Sequence, residues 1–203
     1  MKKIIFPAVF LVILVTNKAS AQYGFQMSYI GLSGTYAYIF KPAAGFELNF
    51  KTGDIDSRVR GSFSIGYYNM LPTQDTFSSY TIRGGSGTTL LPGNYTVKNY
   101  SVVPIGFGVE YHPFDSKLSP YIGLDGYFYV IDYSYHEYYY SFIDEDNEET
   151  LWQVGIVPKI GLSYKINDNW LISAGIGLSI GITGTADTQS YTKTFLNISY
   201  YVD

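Results

Sequence analysis

Six charged residues, Glu47, Arg58, Arg60, Glu110, Asp125 and Lys159, interrupt stretches in which large apolar side chains otherwise recur at every second position. Brought into one enclosed space, three acids and three bases would either line a polar path for a solute or pair with one another and fill the space. Pairing is the expected outcome in a narrow interior. A second constellation surrounds His136, with Ser134, Glu137, Ser141 and Asp144 close in sequence, from which a Ser/His/acid set for acyl transfer can be drawn. Nothing in the spacing orders those groups into a hydrogen-bonded chain, so His136 reads as a solvated loop residue. Asp144, Asp146, Glu148 and Glu149 offer hard oxygen ligands to a divalent cation, although the run lacks the glycine of a calcium loop. Tyr135, Tyr138, Tyr139 and Tyr140 form a candidate contact surface, with a membrane-interface belt as the alternative role. Arg83 to Gly87 is glycine-rich without a following Lys-Ser/Thr, which makes it a loop apex and not a phosphate cradle. No cofactor is expected.

The elements that position these groups follow from alternation. Trp152, Val154, Ile156, Pro158, Ile160, Leu162, Tyr164 and Ile166 are separated by Gln153, Gly155, Val157, Lys159, Gly161, Ser163 and Lys165, a period of two that belongs to a strand. The same pattern predicts eight spans, 30–38, 45–51, 58–68, 101–111, 121–130, 152–166, 170–183 and 194–202. Their apolar face, which on this reading includes Ile30, Leu32 and Tyr36, carries no charge. The six charged residues all take the opposite parity. That second face is rich in Gly and Ser, as the cramped inside of an eight-stranded barrel requires, whereas a water-facing exterior would favour Lys, Glu and Thr. The fold expected is therefore all-β, an eight-stranded antiparallel up-and-down barrel with its apolar face toward lipid. Connections 51–57, 112–120 and 167–169 are short, and 69–100 and 131–151 are long, which puts the N-terminus on the periplasmic side. Arg60 and Glu110 then lie near the same end of neighbouring strands, and a hairpin symmetric about Phe142 sets Asp125 opposite Lys159.

The chain of 203 residues begins with Lys2 and Lys3, the apolar run 4–15 and Ala19-Ser20-Ala21, the form of a secretory signal peptide. Residues 1–21 are expected to be cleaved, leaving 22–203 as the barrel domain; losing Lys2, Lys3 and Lys18 moves the formal charge from −4 to −7. The apolar run is short of the ~20 residues of a membrane-crossing helix. There are no cysteines, so neither disulfides nor thiolate metal sites hold the fold. The acidic balance and the lack of a basic stripe argue against a nucleic-acid partner. Aromatic residues make up 18%, mostly tyrosine, which suits a membrane–water interface.

The segment from Val103 through Pro104, Gly106, Glu110 and Tyr111 to Asp115, followed by Leu118-Ser-Pro-Tyr-Ile-Gly-Leu-Asp-Gly126, resembles the strand–turn–strand pattern of the outer-membrane β-barrel domain family. Those are small eight-stranded proteins akin to the OmpA transmembrane domain and OmpX. The resemblance implies a bacterial outer-membrane location, contact with membrane lipid and lipopolysaccharide, and insertion by the barrel assembly machinery. It implies a closed polar lumen and a structural or surface-interaction role through long extracellular loops, without enzymatic activity. Passive binding or transport of a small solute is the alternative, and a lipid-modifying outer-membrane enzyme a second one.

Overall fold

The computed structural model describes residues 21–32, 36–53, 55–83, 89–139, 143–184 and 190–202. In chain order the elements are β1 (Ala21–Leu32), one helical turn α1 (Tyr36–Ile39), β2 (Ala43–Thr52), β3 (Val59–Asn69), β4 (Phe77–Arg83), β5 (Thr89–Tyr111), β6 (Leu118–Tyr139), β7 (Ile143–Lys165), β8 (Trp170–Gly184) and β9 (Ser190–Val202). Neighbours pair antiparallel, β3 pairs with β5, and β9 returns to β1 with Ala21 opposite Val202 and Leu32 opposite Tyr191. Eight strands thus close into a barrel. β4 lies outside the ring, added to the outer end of β5.

Five of the expected spans lie within the strands found, 58–68 and 152–166 each overrun theirs by one residue, and the first requires correction. It begins at Ala21 rather than Ile30, because Tyr23, Phe25, Met27 and Tyr29 already alternate with Gly24, Gln26 and Ser28. Tyr29 and Ile30 are consecutive apolar residues, so starting at Ile30 inverts the parity. Ile30 faces the interior, 2% exposed, and not lipid. Residues 36–38, read as the end of that strand, belong to α1 instead.

β5, β6 and β7 run 23, 22 and 23 residues, which at ~3.3 Å per residue is a path on the order of 70 Å. A tilted transmembrane strand needs only ~9–11 residues. The excess projects from one end as a sheet of β4, β5, β6 and β7, so the expected loops 69–100 and 131–151 carry strand. Outside a membrane both faces of such a ribbon meet water, and the alternation that marks the spans disappears. At the other end the connections 53–58, 112–117 and 166–169 are short, which identifies it as periplasmic.

The exposed strand residues between the two ends form an uncharged belt that includes Leu48, Val109, Leu124, Ile160, Ile176 and Leu196. Exposed Tyr23, Tyr111, Tyr164, Trp170 and Tyr200 ring its periplasmic edge, and Tyr29, Tyr67 and Trp152 its outer edge. From Trp152 to Tyr164 the strand covers about 40 Å, or about 30 Å of depth at a ~45° tilt, the thickness of a bilayer's hydrocarbon core. Inside, glycine is set by space: a Cβ on Gly106 would strike the Tyr127 ring, on Gly108 the Asp125 carboxylate, and on Gly161 the Tyr121 ring. The outer half of the interior is apolar, built from Ile30, Phe40, Met70, Tyr100, Ile131 and Tyr191 among others. The residues following α1 complete this plug. Phe40 bridges to Pro72 and lies with its ring centroid 4.3 Å from that of Tyr100, while Lys41 N donates to Leu71 O and Thr73 N to Ile39 O.

Candidate functional site

Polar chemistry in the barrel is concentrated below that plug, in two linked groups. Glu47 on β2 is fully buried and accepts hydrogen bonds from Lys193 on β9, Tyr68 on β3, Tyr127 on β6 (3.1 Å) and Gln26 on β1 (3.2 Å). Closer to the periplasm, Glu110 on β5 accepts from Lys51 on β2 (2.8 Å) and Lys159 on β7 (2.9 Å), and Lys159 also reaches Asp125 on β6 at 2.9 Å. Each acid is therefore met by an ammonium group from a strand other than its own. Such a set fixes strand register from inside, and removing one partner strands a buried charge.

Placement of the sequence candidates is mixed. Arg60 stands directly opposite Glu110 in the β3–β5 ladder, as expected, but its guanidinium donates to the carbonyls of Ile55 and Ser57 and so holds the first periplasmic turn. Asp125 is opposite Val157, and Lys159 is opposite Gly123, so the hairpin is offset from the symmetric one; the length of the lysine side chain restores the contact. Phe142 itself lies outside the described residues. Arg58 is a correction: it sits exposed in the turn 53–58, outside the lumen network, with its carbonyl accepting from His112 N at 2.7 Å. Lys51, Lys193, Tyr68 and Tyr127 were not expected in the network. Lys51 ends the second expected span and shares the parity of Glu47, while Lys193 precedes the eighth and shares the parity of Asn197; a charge at a strand end reads as interfacial unless parity is followed past the boundary.

Voids in this lumen are small. Two of about 20 Å3 each lie among the charged groups and at the periplasmic mouth, each with room for about one water, and another of about 10 Å3 lies in the apolar plug. At the mouth, His112 stacks on Tyr121 with ring centroids 5.1 Å apart, and its Nε2 is 3.6 Å from Glu110 Oε2, longer than a hydrogen bond. Burial pushes the imidazole below its ordinary pKa of 6.5, opposed by the nearby Glu110 carboxylate.

On the projecting sheet, His136 Nδ1 lies 2.7 Å from Asp146 Oδ1, and Lys98 donates to the same oxygen at 2.5 Å. Those hydrogen bonds, Lys98 first, hold the exposed Asp146 carboxyl below its usual range. Ser134 pairs with Glu148 across the β6–β7 ladder, and Ser141 lies outside the described residues. Glu149 takes the face opposite Asp146 and Glu148 and accepts from the Tyr135 hydroxyl at 3.2 Å. Asp144 pairs with Tyr138 in the ladder. Among the described residues no three such ligands gather to hold a metal ion. Tyr133 and Tyr135 stack at 4.9 Å and Tyr138 is exposed; Tyr139 ends β6, and Tyr140 lies outside the described residues.

No family model and no curated protein matches the sequence. Among solved structures, Neisserial surface protein A aligns over 91% of this chain and 99% of its own at 14% identity and a TM-score of 0.57. The chain has the fold of the small eight-stranded outer-membrane barrels. Ail, the attachment invasion locus protein of Yersinia pestis, aligns over 91% of this chain and 97% of its own at 13% identity and a TM-score of 0.48, and OprG from Pseudomonas aeruginosa over 90% and 93% at 11% and 0.48. The uncharged belt and the aromatic rings at both edges are those of a barrel that resides in the outer membrane. In an outer-membrane barrel of eight strands the interior is just wide enough for side chains, and here ion pairs and tyrosines occupy it.

Proposed function

We propose that the protein is a closed, non-catalytic barrel whose role is structural or interactive, exercised through the sheet it raises above the outer membrane. The observation that carries this reading is the continuation of β5, β6 and β7 well past the aromatic belt over a plugged lumen. Building a paired sheet above the bilayer orders many residues, and that cost is not needed for anchorage alone. Exposed Tyr138, and Tyr133 and Tyr135 on the other face of β6, give the sheet the side chains most used at protein interfaces. The barrel in this reading is inserted by the assembly machinery and is surrounded in the outer leaflet by lipopolysaccharide. The test is a photo-crosslinking residue placed at Tyr138 or at lumen Tyr127 in intact cells. Discrete adducts at Tyr138 and none at Tyr127 are expected; a lumen residue that captures a small solute, with no adduct on the sheet, would transfer the function to the barrel interior.

A further inference from the structure

Gln22 is the second residue of β1, and its side chain is 1% exposed. Neither polar atom of its carboxamide has a hydrogen-bond partner within the protein. The neighbours explain why. In the two ladders that flank β1, Gln22 stands opposite Lys51 and Tyr201. The Lys51 ammonium is turned to Glu110 at 2.8 Å, and Tyr201 is buried in an apolar cluster with Ile55 and Leu171. A buried carboxamide without partners is destabilising, because both a donor and an acceptor have been taken from water. The expected cleavage after Ala19-Ser20-Ala21 falls directly before this residue and makes Gln22 the first of the mature chain. Cleavage adds a second cost at the same place. The amide N–H of Gln22 becomes an ammonium group, charged at neutral pH, at the start of a strand whose neighbours pair through neutral amides.

We propose that Gln22 is a modification site, cyclised to pyroglutamate once Ala21 has been removed; the inference rests on that cleavage. The α-amino nitrogen attacks the side-chain carbonyl carbon Cδ, a Cδ–N bond forms as the Cδ–Nε2 bond breaks, and a proton passes from the α-nitrogen to Nε2, which leaves as ammonia. No oxidant or other co-reactant is consumed. The reaction removes the orphaned NH2 group and draws Cδ and its oxygen back to the main chain, out of the interior. It also turns the ammonium into a neutral lactam N–H, so the first rung of β1 carries an amide again. In the finished barrel Gln22 is paired on both sides and its side chain is enclosed, which places ring closure between export and insertion.

The test uses the mature protein from the outer membranes of its source cells. Free amines are labelled by reductive dimethylation as soon as the membranes are dissolved in denaturing detergent, and the N-terminal peptide is read by mass spectrometry. A peptide that begins at residue 22, takes no label at its α-nitrogen and is lighter than the encoded sequence by one ammonia is expected. Gln22→Ala, which cannot cyclise, is expected to take the label in the same preparation and so to show that the reagent reaches the terminus. A labelled α-amine with the Gln22 carboxamide intact would overturn the proposal and leave an ordered water as the partner of the buried amide. A peptide that begins at any other residue would overturn the cleavage itself, and the proposal with it.

Discussion

Lys159 is the residue on which the interior depends most, since one ammonium group joins Glu110 to Asp125 across three strands. Lys159→Met is expected to cost about 3–5 kcal/mol, because it takes the ion-pair partner from a buried carboxylate. Asp125→Asn combined with Lys159→Met is expected to cost less than the single change, and urea unfolding of the refolded barrel measures both. His112 makes a second prediction. Burial sets its folded pKa below 6.5, so as pH falls through 6.5 the unfolded chain takes up a proton before the folded one does. Stability from this group is therefore full above pH 6.5 and declines below it until the folded imidazole also titrates. The urea midpoint of wild type is expected to fall further between pH 7.5 and 5.5 than that of His112→Gln, and equal falls would contradict the assignment. Of these residues, Glu47, Glu110, Asp125 and Lys159 are legible from parity alone. His112 is not, because a histidine beside Pro113 in a short turn reads as turn chemistry, and its burial comes from Tyr121 and from the turn held by Arg60.

Strands whose two faces meet lipid and lumen are legible because each environment rejects the other's side chains. Ile160, 60% exposed, faces lipid near mid-depth, and Ser163 hydrogen-bonds Ser173 inside at 2.9 Å. Ile160→Arg is expected to destabilise the folded barrel by about 2–4 kcal/mol in lipid, while Ser163→Thr costs well below that. Refolding yield into vesicles compares them, and equal tolerance would show the faces to be reversed. The same physics explains what is not legible. Toward the outer ends of β6 and β7 consecutive residues, 133–138 and 146–150, are half-buried or exposed, so no period marks them, and β1 is displaced because its outer end turns from lipid to plug at Tyr29 and Ile30, where parity gives no warning.

At the scale of the whole molecule, the ring has no free edge within the membrane, since β9 pairs with β1 along its length. Unboiled protein is expected to migrate differently from boiled protein in a denaturing gel, as detergent has no edge from which to peel a strand. Closure of the lumen follows from layers that were separately visible or invisible in the sequence: the charged layer was readable, whereas the plug of Phe40, Tyr100 and Tyr191 was not, because those side chains come from a loop and from strand ends. Among the described residues, voids of about 20, 20 and 10 Å3 lie inside the barrel, each with room for about one water at most, and a barrel filled in this way is expected not to pass a hydrated ion. Conductance of wild-type protein in planar bilayers tests that most directly. A silent membrane at moderate voltage is expected; reproducible unitary steps that require the folded barrel would contradict a filled lumen and make the lumen, not the raised sheet, the working part.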